Sequence, residues 1–483
     1  MSTTLDRLRR LQKLHPKKAK KEFNSDAHVE ELVYTDLPTT DDQVIGPVVS
    51  EPANEPDNEP VSEPVSEPAS EPVSEPAPLE ALIAGEIITN AAGTCYVRTE
   101  QWPLNHHLGT APLARLHDHA PKLFAPFHPN FNLTDHHVFD KAAFIDTETT
   151  GLGGGASIYP FMVGVGVFED DHFIVRQFFM RNPAEEGALL LAVAELLQHC
   201  TMTITFNGRT FDLPLLRNRV RFNRMTFASG QGKTTTDTIP LLDTDQAHLD
   251  LLMPARRLWR RRLQSCRLVN LETHILAQNR THEDVPGYMI PQLYIDYVQS
   301  GDAREMQRVF YHNALDIVTM VGLATQLSHA FSLEPGTRTH PPDLLDALDW
   351  WSLGHSYEQV GDWHHAEAAY QHALTEIQRP SLRAQLYERI GLMQKRQERW
   401  TEATTTWQEW LTSIAGHNPT PFVELAKYCE WQTKDLAQAE MWAGWALHNL
   451  NRLPMGERLT YRVQIEALEH RLKRIKQKSV LVK

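Results

Sequence analysis

Cysteine is scarce in this chain: four in 483 residues, Cys95, Cys200, Cys266 and Cys429. They lie far apart with no C-x-x-C spacing, which argues against a disulfide framework or a zinc cage and fits a reducing cytoplasm. The first residues, Met1 to Leu14, lack the continuous apolar core of a secretion signal. No stretch of about eighteen apolar residues is evident to span a bilayer, so no membrane partner is expected. Excess positive charge is also missing, since the net charge is −14. That deficit is local. Residues 1–22 hold eight Lys/Arg against two acids, and residues 23–80 hold fifteen acids and no Lys/Arg, which leaves only −5 for residues 81–483. Global charge therefore argues neither for nor against a nucleic-acid partner.

The length suggests about three domains. Residues 1–78 are expected to be disordered. They comprise a basic arm (Arg7 to Lys21) and a linker in which Glu-Pro recurs every four residues from Glu51 to Glu75. Proline fixes φ and the glutamates repel, so the linker reads as an extended spacer rising roughly 3.1 Å per residue. The arm either adds phosphate contacts or serves as a solubilising tail. Residues 79–141 are expected to pack as an extension on the next domain. From 142 to 332 strand and helix patterns alternate. Phe161–Phe168, Phe173–Met180, Met202–Phe206 and His248–Leu252 read as strands. Ala184–Cys200, Leu213–Phe222 and Ala303–Leu327 read as helices, the last with Asp302 as its N-cap. Together they describe a mixed-sheet α/β domain.

Residues 343–455 carry a helical repeat. Trp350, Leu353, Gly354, Tyr357, Ala366, Tyr370 and Ala373 follow the tetratricopeptide pattern, which recurs thirty-seven residues later at Tyr387, Ile390, Gly391, Ala403 and Trp407. A third copy shows Ala426, Ala439 and Ala446. An all-α solenoid of this kind usually binds a protein partner, though it can equally brace its neighbour. A basic helix within residues 456–483 is expected to cap it, with its charged face in water.

Three acidic elements carry the chemistry. The strand Ala142–Ile145 runs into Asp146-Thr147-Glu148-Thr149, and residues two apart on a strand share a face. Two carboxylates side by side repel unless a cation lies between them, and hard oxygen pairs suit Mg²⁺ or Mn²⁺. Asp212, in Phe206-Asn207-Gly208-Arg209-Thr210-Phe211-Asp212, opens a helix and alone would pass for a cap. His312 and Asp316 are four apart on one helix face and alone would pass for a surface pair.

In this order, on these element types, the acids resemble the DEDD superfamily of 3′–5′ exonucleases, whose fold is ribonuclease H-like. The YprB-like branch is similar over residues 80–330. It is suggested by D-T-E-T-T-G-L at Asp146, F-N-G-R-T-F-D-L-P-L-L at Phe206, H-L-D-L-L at His248, V-P-G-Y at Val285 and H-N-x-x-D at His312. The resemblance implies a metal-dependent exonuclease acting on DNA or RNA, with two Mg²⁺ or Mn²⁺ ions held by Asp146, Glu148, Asp212 and Asp316. It departs in one place. Such enzymes carry His five residues before the last aspartate or Tyr four before it, whereas here Tyr311 stands at five and His312 at four. Position four lies nearer the aspartate's face and histidine is the better base near neutral pH, so His312 is expected to orient the water.

Thr149, Asn207, Asp250, Arg256, Arg257, Arg260 and Tyr311 are expected to contact substrate or support the site. Six arginines between Asp250 and Glu272 (256, 257, 260, 261, 262 and 267) either neutralise a phosphate backbone or form a solvated face. Trp259 among them either stacks on a base or, as the commoner use, packs in the core. Two rivals remain open: a nuclease-like scaffold that binds nucleic acid without cutting it, and an endonuclease.

Overall fold

The structure, a computed structural model, describes residues 75–128, 130–151, 158–223, 226–229, 232–235, 239–333 and 345–482. The expected basic arm and nearly all of the Glu-Pro linker lie outside these residues. Ala77–Lys483 hold together as one unit.

Seven strands build one mixed sheet: β1 Glu86–Asn90, β2 Gly93–Pro103, β3 Ala142–Thr149, β4 Pro160–Glu169, β5 His172–Phe179, β6 Met202–Thr205 and β7 His248–Asp250. Their order across the sheet is β1-β2-β5-β4-β3-β6-β7. Neighbours from β1 to β3 are antiparallel, because short turns join β1 to β2 and β4 to β5. β6 lies parallel to β3 and β7 parallel to β6. Their connections run through helices α1 (Glu186–Leu197) and α2 (Asp212–Asn223), long enough to cross the sheet and return.

The extension does not simply lie on this domain as expected. Its strands β1 and β2 lengthen the sheet, with β2 paired along β5 from Tyr96–Phe179 to Pro103–His172. Beyond these strands, Leu113, Leu116, Phe124, Phe127 and Phe131 enter the core on one sheet face, and Leu79 and Ile83 the core on the other.

After β7 come α3 (Leu252–Trp259), α4 (Leu268–His274), α5 (Ile290–Ser300) and α6 (Met306–Ser332). Cores form on both faces of the sheet. One joins Phe144, Phe173 and Ile204 to Ile317, Val318 and Val321 of α6. The other joins Ile145, Val163 and Val165 to the Leu189–Val193 stretch of α1 and to Tyr294 of α5. Burial on both sides explains why β3 begins as an unbroken apolar run.

α6 is long and apolar enough to cross a membrane, yet its apolar stretch is mostly buried inside the protein, as the core helix of this domain. It starts at Met306, not at Ala303 as expected. The Asp302 carboxylate accepts from the backbone N–H of Arg304 and caps the turn that leads in. Two β4 glycines let α6 sit this close: a Cβ on Gly164 would overlap Asn313 and Ile317, and one on Gly166 would stand 2.6 Å from Ile317 Cγ2.

The C-terminal region is a run of helices, α7 (Ala347–Gln359), α8 (Trp363–Glu376), α9 (Pro380–Arg396), α10 (Trp400–Ser413), α11 (Thr420–Trp431) and α12 (Leu436–Asn451), ending in α13 (Met455–Thr460) and α14 (Arg462–Val482). Consecutive helices pair, α7 with α8, α9 with α10 and α11 with α12. A Cβ on Gly354 would come 2.6 Å from the Tyr370 ring, and Gly391 makes the same room for Trp407. The first pair shares the core of the α/β domain, where Tyr357 Oη donates to the Phe331 carbonyl at 3.1 Å and its ring meets Phe127. The basic face of the last helix is not simply solvated. Arg471, Arg474 and Lys478 of α14 all converge on the buried Glu430 of α11.

Candidate active site

The carboxylates gather where β3 meets α6. Asp146 and Glu148 stand on successive same-face positions of β3, and a register irregularity between Glu148 and Thr149 ends its regular pairing with β4. Asp146 lies opposite Gly164. The space above that glycine admits Asn313 of α6, whose Nδ2 donates to Asp146 Oδ2 at 2.8 Å. Gln177 Nε2 in turn donates to Asn313 Oδ1 at 3.1 Å, which fixes the amide's orientation. Asn313 is fully buried. Sequence reasoning gave it no role; the available signal was an amide on the apolar face of α6 between Phe310 and Ile317.

Asp212 approaches from the start of α2, and Thr147 Oγ1 donates to its Oδ1 at 2.5 Å. The turn leading to Asp212 is built on Asn207, held at φ 67°. Asp250 at the end of β7 supports that turn by accepting from the backbone N–H groups of Asn207 (2.8 Å), Arg209 (3.1 Å) and Leu252 (3.1 Å). Three backbone amides occupy the Asp250 carboxylate, so its place is structural. The Asn207 side chain accepts from Thr210 and also lines the cleft. The Thr149 hydroxyl donates to the Gly151 carbonyl at 2.7 Å and completes a local turn.

His312 and Asp316 follow one turn apart on α6, with His312 Nε2 3.6 Å from Asp316 Oδ2. The other ring nitrogen, Nδ1, lies 2.7 Å from Asp284 Oδ1. A proton shared there leaves Nε2 as the basic nitrogen on the Asp316 side. Tyr311 points elsewhere and accepts from Thr281 Oγ1 at 3.3 Å. The structure thus brings His312, and not Tyr311, beside Asp316. Arg280 completes this side. Its guanidinium forks onto Glu272 at 2.5 and 2.6 Å and donates to Asp316 as well. Asp284 and Arg280 were missed because they come from a segment without periodicity, and Glu272 because it lies in the short helix α4 just before it.

The α3 arginines divide between two faces. Arg256 and Arg260, four apart, line a cleft of about 690 Å³ together with Asp146, Asp316, Phe206, Asn207 and Arg267. Arg256, Arg260 and Arg267 make no ion pair among the described residues. Arg257 was expected beside them, but it is turned to the other face and donates to Gln359 of α7 at 2.5 Å. Arg261 sits over the Trp351 ring, and Arg262 pairs with Asp349 at 3.1 Å. Trp259 is buried in the core and stacks on nothing in the cleft.

Burial first, and then neighbouring charge, sets the protonation. Burial, then repulsion from Asp316, Glu148 and Asp212, holds the Asp146 carboxyl well above the usual range. Burial pushes Glu148 up to about 7, with Asp316 and Asp212 adding to it and His312 opposing. Asp212 is pushed up to about 6 by burial, against the hydrogen bond from Thr147. Burial disfavours the His312 cation, but Asp316, the Asp284 hydrogen bond and Glu148 outweigh it and bring the ring up to about 9. Among the described residues no three His, Cys, Asp or Glu side chains already stand close enough to grip an ion. The donor chemistry nonetheless fits one. Clustered hard oxygens whose mutual repulsion favours protonation are relieved by a divalent cation.

Comparison with known proteins bears on the fold. Residues 143–328, from β3 to near the end of α6, match the family model of the RNase_H superfamily. Over 352 residues the chain is 27% identical to the uncharacterized protein YprB of Bacillus subtilis (strain 168), covering 71% of this chain and 78% of that protein. Five of the seven strands, β3 to β7, lie within this RNase H-like match, and the helical region follows it; RNase H-like nucleases generally use divalent metals.

Proposed function

We propose that this protein is a metal-dependent nuclease, a 3′–5′ exonuclease that hydrolyses phosphodiester bonds of DNA or RNA. The observation that carries the reading is that acids from three distant stretches (β3, the start of α2, and α6) come near enough to repel one another, with Asp146 and Asp316 opening on a cleft whose Arg256, Arg260 and Arg267 make no ion pair among the described residues. The superfamily match supports a nuclease. The exonucleolytic polarity and the use of two ions rest on the DEDD-like arrangement of Asp146, Glu148, Asp212 and Asp316.

These four carboxylates would hold Mg²⁺ or Mn²⁺. When bound, such ions acidify a water and offset the charge on the departing oxygen. The chain's own groups do the rest. Asn313 and Gln177 hold Asp146 at one angle, and Thr147 holds Asp212. Arg256, Arg260 and Arg267 neutralise phosphates along the cleft. His312, held by Asp284 through Nδ1, takes a proton from the attacking water at Nε2. Its affinity for a proton falls into the working range once the charge of the neighbouring acids is offset.

We read the helical region as tetratricopeptide-like and as the site of a protein partner, supported by the paired helices and by Gly354 and Gly391 at the close approaches. One observation favours a second reading, a scaffold that binds nucleic acid without cutting: Arg280 already neutralises Asp316. Release of nucleotides from an end-labelled strand with Mg²⁺ distinguishes the two. The nuclease reading expects release that stops with EDTA and with Asp146→Ala. No release from single- or double-stranded DNA or RNA would favour the scaffold, and cleavage of a circle would make the enzyme an endonuclease.

A further inference from the structure

Arg280 carries a fixed positive charge inside the carboxylate cluster, and the proposed hydrolysis leaves it without a task. Its side chain is 7% exposed. Nε and Nη2 fork onto Glu272, which is itself fixed by Thr319 Oγ1 at 2.9 Å. A two-pronged pair of this kind locks the guanidinium plane. Locked there, it reaches three groups of the site at once. Nη2 donates to Asp316 Oδ1, while Nη1 lies 3.1 Å from His312 Nδ1 and 3.5 Å from Asp284 Oδ2.

We infer that Arg280 is a positioning residue and resident counter-charge. It holds Asp316 by one oxygen, leaving the other toward His312, confines the His312–Asp284 pair, and weakens divalent-cation binding at the acids. The inference rests on the proposed cation site.

Charge and position make separable demands. With Glu272 beside it, Arg280 forms a neutral pair. Removing the guanidinium leaves an extra negative charge next to the acids, so cations must bind more tightly even as Asp316 and His312 lose their alignment. Lysine keeps the charge but cannot make the two-pronged contact. A merely structural arginine would move neither quantity in this pattern.

The experiment titrates Mn²⁺ into the full chain, read by electron paramagnetic resonance, alongside kcat and KM on an end-labelled oligonucleotide. Arg280→Met should lower the Mn²⁺ Kd about threefold to tenfold and lower kcat about 10²-fold with little change in KM. Arg280→Lys should leave the Mn²⁺ Kd near that of the unaltered protein and still lose kcat. Loss of a buried partner destabilises Glu272, so Arg280→Met with Glu272→Gln is the variant to use if the single change fails to fold. It should restore Mn²⁺ affinity but not kcat. Equal or weaker Mn²⁺ binding in Arg280→Met would overturn the inference alone. No saturable Mn²⁺ binding by the unaltered protein would overturn the proposed function and this inference with it.

Discussion

In the helical region Glu424 and Glu430 are buried among cations, Lys395 and Lys427 around the first and Arg471, Arg474 and Lys478 around the second. At the candidate site Glu148 and Asp212 are also buried, 8% and 7% exposed, near other acids. Burial alone would raise all four. Hydrogen bonds from the cations overturn it in the helices, bringing Glu430 down to about 2 and lowering Glu424. At the site burial outweighs His312 on Glu148 and the Thr147 hydrogen bond on Asp212, so Glu148 reaches about 7 and Asp212 about 6. An acid matched by cations belongs to the scaffold. Acids left crowded in a cleft destabilise the fold and mark a place that waits for a ligand. Asp349, where Arg262 joins the two regions, lies between these cases: fully buried, pushed up to about 7, with a single cation against it.

The largest expected effect breaks the comparison if it fails. Glu148→Gln should abolish nucleotide release, on the order of 10³-fold or more, while Glu430→Gln leaves turnover unchanged. Next, His312→Ala should lower kcat by roughly 10²–10⁴-fold, and Tyr311→Phe should stay near the unaltered rate. Equal losses from both would mean that the geometry around Asp284 is not what selects the base.

Along α3 the contrast is one of faces. Arg256→Ala with Arg260→Ala should weaken oligonucleotide binding and reduce its salt slope by about 1 for each phosphate no longer neutralised, whereas Arg257→Ala should change neither.

The smallest effects concern stability, and both Glu148 and His312 make it fall as pH rises. Glu148 ionises in the fold only above its ordinary 4.5, so its penalty is absent below that pH and complete above about 7. His312 has a raised value, so its stabilisation is full below 6.5 and lost as pH rises through about 9. Metal-free protein should therefore lose Tm steadily from about pH 5 to pH 9, and Mg²⁺ should restore it at the upper end. At pH 8 without metal, Glu148→Gln should raise Tm and Glu430→Gln should lower it, each by a few degrees, at about 2–4 °C per kcal/mol. Calorimetry in EDTA checks both signs.

Much of this was legible in the residues. Asp146 and Glu148 could be placed on one face because a strand alternates strictly, and His312 beside Asp316 because a helix repeats near every fourth residue. The division of the arginines follows the same period, 256 with 260 and 257 with 261, but which face meets the cleft depends on where α7 docks. Arg280 and Asp284 stayed hidden because they lie on a loop that has no period, and Glu272 of α4 because its role depends on where that loop places Arg280. The two added strands were hidden for a different reason, since an edge is chosen by pairing with β5 and not by anything local to residues 79–141.

Soaking crystals with Mn²⁺ and recording its anomalous scattering tests the central claim most directly. The account predicts a peak among the carboxylates of Asp146, Glu148, Asp212 and Asp316, at roughly 2.0–2.3 Å from their oxygens. A cleft that stays without a peak at saturating Mn²⁺, its four acids still apart, would contradict it.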